Sequence, residues 1–211
     1  MSRVLFLYER LSKTYGNPGG QWNLWCKRPK SAAEKEEVII GAILTQRTNW
    51  KNVMLAIEAL RSRRLLSLEK IHALGDDNRE ELARCIRASG FYRTKARYLR
   101  EIARFFIAGG CVARVAKLPH GTARRLLLEL PGVGPETADS ILLYALEKPV
   151  FVIDEYTRRL AQRERLTDTL SYAHLQAFFE RGAAGNCALY QDFHALIVMD
   201  GKARASGTAV S

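Results

Sequence analysis

Two short stretches of the 211-residue chain carry residue types that could do chemistry. The first is Leu130-Pro131-Gly132-Val133-Gly134-Pro135-Glu136-Thr137-Ala138, with two glycines one residue apart between an apolar helical run and a second helical start. Glycine is required where the backbone takes a positive φ or must approach another group closely. The unpaired N–H groups and positive dipole end of the second helix would make a ready phosphate site. An αα-hairpin turn with no ligand uses the same residues, so the stretch alone leaves both readings open. The second is Asp154, which follows the apolar run Val150-Phe151-Val152-Ile153. A carboxylate fixed there can stabilise positive charge developing on a sugar, and can orient or deprotonate water. Asp is also a favoured helix N-cap, and a helix with Arg158 and Arg159 follows, so position alone fits a cap as well as a catalyst. In either role, N–H bonds at a helix start would keep the carboxyl ionised.

The elements that must position these residues read as helices. Val38, Ile39, Ala42 and Ile43 recur at helical spacing, as do Val53, Met54, Ile57 and Leu60. Further helices are expected at residues 82–86, 96–106, 123–130, 137–146, 156–162, 172–180 and 189–199. The fold class is therefore all-α, with about eight to ten helices joined by short connections. Residues 150–153 are an isolated strand candidate. Glycine- and proline-rich joints are expected at residues 15–20, 75–78, 109–110 and 181–186, with a frayed tail from Ala203.

Thirty-three Lys and Arg against 22 Asp and Glu leave +11, an excess that attracts nucleic acid, anionic membrane or acidic protein. Residues 79–104 alone carry +5, including Arg93 and Lys95, and read either as solvated helix faces or as a polyanion-facing flank. No apolar run approaches the roughly 20 residues of a membrane span, and no signal-peptide pattern opens the chain. No strongly basic amphipathic stretch with clustered Trp and Phe suits a membrane surface. A cytoplasmic, nucleoid-associated protein without a membrane partner is expected. Cys26, Cys85, Cys111 and Cys187 lack zinc or iron–sulfur spacing and read as buried reduced thiols.

The hairpin, the Val152-Ile153-Asp154 element with Arg159 five residues on, and an upstream Gly41-Ala42-Ile43-Leu44-Thr45-Gln46 together resemble the helix-hairpin-helix-GPD superfamily of DNA glycosylases, the endonuclease III group. The resemblance runs from about residue 38 to 202. It implies a two-lobed fold: a six-helix lobe over residues 36–150, and a lobe from residues 1–35 and 151–211 carrying the catalytic aspartate, with the active cleft between them. Asp154 matches that aspartate. Gly132, Val133, Gly134 and Thr137 match the hairpin that grips the DNA backbone, often with Na+ or K+ on backbone carbonyls, here those of Leu130 and Val133. Gln46 matches the glutamine that wedges into the duplex where the nucleotide flips out. Extrusion of a base requires such a filler, together with basic groups that hold the bent backbone; Arg93 and Lys95 are the candidates.

Two departures narrow the resemblance. Bifunctional members carry a lysine nucleophile where this chain has Glu136, and a carboxylate cannot form the Schiff base that strand cleavage requires. Asp200-Gly201-Lys202 is followed by Ala and Ser rather than by four cysteines, which implies no iron–sulfur cluster and no other cofactor. The phrases Ser89-Gly90-Phe91-Tyr92-Arg93-Thr94-Lys95-Ala96 and Ala138-Asp139-Ser140-Ile141-Leu142-Leu143-Tyr144 are similar to a cluster-free branch, the 3-methyladenine DNA glycosylases of the MagIII type. That branch implies an aromatic base pocket, for which Trp22 and Trp25 are the candidates, with Glu136 and Lys202 beside them. An aromatic cage would suit a cationic alkylated base, although lone tryptophans equally serve as core residues. His194 reads as a phosphate contact or as core, and Arg158 as a support for Asp154 or for nearby backbone.

The expected function is a monofunctional, monomeric glycosylase that flips and releases an alkylated purine from double-stranded DNA. The alternatives are a glycosylase for uracil, hypoxanthine, a mismatch or an oxidised base, with or without lyase activity, and a non-catalytic helix-hairpin-helix DNA-binding module.

Overall fold

The computed structural model describes residues 2–75 and 78–207. In chain order its α-helices are α1 (Arg3–Tyr15), α2 (Trp22–Trp25), α3 (Ala32–Leu44), α4 (Trp50–Ser62), α5 (Leu68–Ala73), α6 (Arg79–Cys85), α7 (Tyr92–Ala108), α8 (Val112–Ala116), α9 (His120–Leu128), α10 (Pro135–Ser140), α11 (Glu155–Arg163), α12 (Tyr172–Ala183) and α13 (Cys187–Ala205). A 3-10 turn spans Arg87–Ser89 and a π-helical turn spans Ile141–Ala145. Among the described residues there is no strand, in keeping with the all-α class.

The chain forms two compact units, Met1–Arg28 with Glu147–Ser211, and Pro29–Leu146. The lobe boundaries expected at 35/36 and 150/151 thus stand a few residues from those of the units. The whole of α3, from its capping box at Ser31 and Glu34, lies in the second unit.

In the unit built from both chain ends, α13 packs on α1 and α11, and α1 also meets α12. Phe151, Phe179 and Phe193 make its aromatic centre, with Phe151 stacked on Phe179 at 4.7 Å. The β-prone residues 150–153 are buried but form no strand. Side chains of α12 satisfy the backbone instead: Phe151 N–H donates to Glu180 Oε1 at 3.0 Å, and Gln176 Nε2 donates to Phe151 O at 2.8 Å. The apolar sequence reported burial, and among the described residues no neighbouring strand exists to turn burial into a sheet. Helix α1 falls outside the helices expected from periodicity, yet its buried Val4, Leu7 and Leu11 recur at i, i+3 and i+7. The tail expected to fray from Ala203 is helical to Ala205, and its last four residues lie outside the described ones, as do residues 76–77 of the joint at 75–78.

In the Pro29–Leu146 unit, residues 38–44 of α3 are all buried, packed among α4, α7 and the π-helical turn. The turn closes through Leu146 N–H to Ile141 O at 3.0 Å. The lobe expected to hold six helices divides into eight, four of them short: α5, α6, α8 and α10. Helix α7 packs on α5 and α6 through Leu99, Ile102, Ala103 and Phe106, while Arg93, Arg97 and Arg104 lie exposed.

Candidate functional site

In the hairpin, α9 enters, residues 129–134 turn, and α10 leaves. Gly132 has φ +79°, and a Cβ there would stand 2.2 Å from the Tyr98 ring, so no other residue fits without displacing that ring. Gly134 differs from the expectation for a constrained glycine. Its φ is −89° and a Cβ would meet nothing within 4 Å, so its feature is exposed backbone at the cap of α10 rather than conformation. Arg124 of α9 forks onto the buried Asp139 of α10 at 2.7 and 3.0 Å, stapling the two helices together.

Gln46, just beyond α3, donates from Nε2 to Gly132 O at 2.8 Å and to Thr137 Oγ1 at 3.1 Å. A groove of about 650 Å³ is lined by Gln46, Phe91, Tyr98, Gly132, Glu136 and Thr137 among others. Val133 and Thr137 have buried side chains. Leu130 O accepts the Val133 N–H at 3.1 Å, which uses one of its two lone pairs.

The structure adds a residue that the motifs did not single out. Phe91 is 63% exposed on the groove, with φ 46° at the cap of α7. An exposed aromatic ring on a left-handed backbone carries strain that local packing does not require. The sequence signal available for it was a large apolar residue directly after Gly90 in a strongly basic stretch.

Lys95 is a correction. Expected on a DNA-facing flank, it is 2% exposed, and its ammonium donates to Leu44 O at 2.8 Å and Ser89 O at 2.6 Å. It is a strut between the end of α3 and the 3-10 turn, and cannot reach a phosphate while so bound. Burial lowers its amine from the usual lysine value to about 8. Arg93 is exposed, as expected, and pairs with Glu80 at 3.1 Å.

The second constellation lies in the unit of the chain ends. Asp154 caps α11, and its Oδ1 accepts Thr157 N–H at 2.8 Å and Thr157 Oγ1–H at 2.9 Å. Its Oδ2 stands 3.5 Å from His194 Nε2 of α13. Burial pushes this carboxyl up, but the His194 interaction and the two Thr157 bonds outweigh it and hold Asp154 below the ordinary carboxylate value. Cap and ionised carboxylate are thus one residue.

His194, expected as a phosphate contact or as core, is buried and meets Trp22 edge to face at 5.8 Å. Trp22 meets Trp25 edge to face at 6.0 Å, and both indoles are buried. Trp22 therefore meets Asp154's partner directly, and Trp25 packs on Trp22. Lys202 is exposed and donates to Gln21 Oε1 at 2.6 Å. Desolvation by its surroundings lowers its amine, and the Asp154 carboxylate opposes that shift.

Supporting contacts fix this frame. A Cβ at Gly201 would stand 2.2 Å from Cδ1 of Tyr156, so α13 meets α11 at a glycine set against a residue two positions along the chain from Asp154. Asp200 is buried and accepts bonds from Tyr15, Arg163 and Arg204 at 3.0, 2.8 and 2.9 Å, tying α1, α11 and α13 together. Arg158 bonds the Leu170 carbonyl and lies over Tyr172, which resolves its role in favour of nearby backbone rather than Asp154. Glu136 belongs to the Pro29–Leu146 unit, and Trp22, Trp25, Lys202 and Asp154 to the other. Of the four cysteines only Cys85 is buried, Cys111 being exposed and the other two intermediate. Among the described residues, no group of three or more His, Cys, Asp and Glu could hold a metal, and no helix is long and apolar enough to cross a membrane.

An all-helical chain with a glycine hairpin in one unit and an ionised, buried aspartate capping a helix in the other has the parts of a helix-hairpin-helix enzyme of DNA. The chain belongs to the HhH-GPD superfamily of base excision DNA repair proteins, which it matches over residues 40–183, and it is a DNA glycosylase. A protein of Methanocaldococcus jannaschii that carries the name of a DNA repair glycosylase is 39% identical over 196 residues, spanning 91% of this chain and 84% of its own. The 3-methyladenine DNA glycosylase MagIII of H. pylori, solved with 1,N6-ethenoadenine, has a TM-score of 0.79 and 28% identity, covering 97% of this chain and 99% of that one. A non-covalent endonuclease III–DNA complex shares the fold with a TM-score of 0.70 at 18% identity, covering 93% and 83%.

Proposed function

We propose that this glycosylase is monofunctional and releases an alkylated purine of the 3-methyladenine type from duplex DNA, leaving an abasic site. The observation that carries the reading is Asp154, a buried carboxylate held ionised by Thr157 and His194. Breaking the C1′–N bond leaves positive charge on the sugar, and a fixed anion stabilises it. Water then adds its oxygen to C1′ and gives a proton to Asp154 or to solvent. In a cationic alkylated base the bonding electron pair neutralises the ring, so no general acid is needed at the leaving nitrogen. The likeness to a 3-methyladenine glycosylase and the Trp22 indole against His194, with Trp25 on Trp22, support this substrate class.

Glu136, exposed on the hairpin groove in the place of the lysine nucleophile, supports release without strand cleavage. In this reading the hairpin holds the damaged strand's backbone. Phe91 enters the stack as an apolar wedge, and Gln46 exchanges its two hairpin bonds for contact with the duplex. The hard carbonyl oxygens of Leu130 and Val133 suit Na+ or K+, and Leu130 O keeps a lone pair for it. Such an ion would add positive charge under the phosphate. No resident cofactor enters the reaction.

The test is a release assay across 3-methyladenine, 1,N6-ethenoadenine, uracil, hypoxanthine and 8-oxoguanine duplexes, with borohydride added in parallel. The reading predicts release of the alkylated purines without a trapped protein–DNA adduct. A trapped adduct would show lyase chemistry from another lysine, and release confined to uracil or 8-oxoguanine would assign a different lesion.

A further inference from the structure

The first turns of α7 have a groove on either side, and Thr94 lines both. One is the hairpin groove. The other, about 340 Å³, is lined by Arg79, Glu80, Ala83, Thr94 and two arginines one helical turn apart, Arg93 and Arg97. We infer that this second groove binds the sugar–phosphate backbone of the DNA strand opposite the one held by the hairpin. The inference rests on the hairpin's being a DNA grip, and extends it to the partner strand.

Three guanidinium groups against one carboxylate leave the groove positive, and guanidinium matches phosphate oxygens two at a time. The Arg93 and Arg97 guanidiniums lie 5.5 and 5.4 Å from the Tyr92 and Tyr98 rings, which holds both long side chains along the helix surface. Arg93 also pairs with Glu80 at 3.1 Å, with both side chains more than half exposed. A pair so hydrated is weak, and a phosphate can take Glu80's place. The strand assignment follows from Phe91, the exposed ring at the cap of α7, which lines the hairpin groove beside Thr94, the residue common to both grooves. An apolar side chain that enters between base steps does so through a DNA groove, whose two walls are the backbones of the two strands. Phosphate sites on its two sides therefore belong to different strands.

The experiment is a salt titration of binding by fluorescence anisotropy, using a duplex with an uncleavable abasic analogue and the same lesion strand alone. Arg79→Gln combined with Arg97→Gln is expected to lower the duplex salt slope by about 2, at roughly 0.9 per phosphate contact, and to leave single-strand affinity within about twofold. Glu80→Gln is expected to tighten duplex binding several-fold, because it frees Arg93 and removes an acid from the phosphate path. Uncharged methylphosphonates placed in the opposite strand should weaken the wild type and leave the double variant unchanged. Equal losses on duplex and single strand, no loss on either, or weaker binding by Glu80→Gln would overturn the assignment. Gly132→Ala separates the two readings: lost binding to both DNAs upholds the hairpin grip, and retained binding removes that grip and the strand assignment with it.

Discussion

Around Asp154, Thr157 holds Oδ1 with two hydrogen bonds and His194 faces Oδ2 at 3.5 Å, in a buried setting where the Trp22 indole meets the His194 ring. Around Gly132 the groove is open, and its distinctive surface is backbone presented by a turn that only glycine can make. In the proposed function the contrast follows from what each region would meet. A reacting sugar needs one charge at one place, so the protein fixes a side chain from two helices. A phosphodiester backbone repeats, so a grip on it needs exposed N–H groups and positive charge rather than an individual side chain. Stability and function are therefore expected to fail differently when each region is altered.

The largest effect should come from the turn. Gly132→Ala adds both a left-handed strain and an overlap with Tyr98, together costing about 3 kcal/mol or more. DNA affinity should fall at least about tenfold, a loss of about 1.4 kcal/mol in binding. Gly134→Ala, with φ −89° and open space, should leave the melting temperature within a degree or two of wild type. Thermal unfolding and anisotropy on both variants would check the contrast, and equal damage from the two would break it.

Next is His194→Gln, which removes the largest influence holding Asp154 down. Base release should fall about tenfold, or about 1.4 kcal/mol of transition-state stabilisation, with DNA affinity unchanged. The acid limb of the release profile should move to higher pH, because the carboxyl then gains its proton earlier as pH falls. The same depressed carboxyl contributes stability above its unfolded value, and that contribution is lost as pH falls through the folded one. An unmoved acid limb would detach His194 from Asp154.

Gly201→Ala tests the frame. In an ordinary helix interior this change stabilises by up to about 1 kcal/mol. Here the added Cβ overlaps Tyr156, so a loss of about 1 to 3 kcal/mol is expected. Release should fall several-fold while binding holds. A gain in melting temperature would show that α11 and α13 yield without disturbing Asp154.

The smallest effect belongs to Lys95. Its folded amine, at about 8, lies below the usual 10.5, so the folded state loses its proton first. The desolvation cost is fully present below pH 8, and stability rises between pH 8 and 10.5. Lys95→Met should lack that rise in urea unfolding measured at successive pH values. A parallel rise in the variant would assign the effect elsewhere.

The hairpin and the cap were legible in the sequence because both are local: Gly132 and Asp154 act within a few residues of themselves. His194 was not, since 40 residues separate it from Asp154 and only the packing of α13 on α11 joins them. The burial of Lys95 is masked by its neighbours, because a basic run suggests exposure. Its spacing to Leu99, Ile102 and Phe106 put it on the buried stripe of α7 all the same. Residues 150–153, a strand candidate by composition within an all-α expectation, form no strand, since β-prone residues mark burial as readily as pairing. The position of Glu136 was plain from the motif, whereas whether Trp22 faced solvent or core depended on a partner, His194, that no motif names.

Asp154→Asn most directly tests whether the two regions divide chemistry from grip. Single-turnover release of 3-methyladenine and anisotropy on an abasic-analogue duplex would be measured on one preparation of the variant. The account predicts release reduced by about 100-fold or more, in the range expected for a lost transition-state charge, with affinity within a few-fold of wild type. Release at the wild-type rate, or affinity and release lost in parallel, would contradict it.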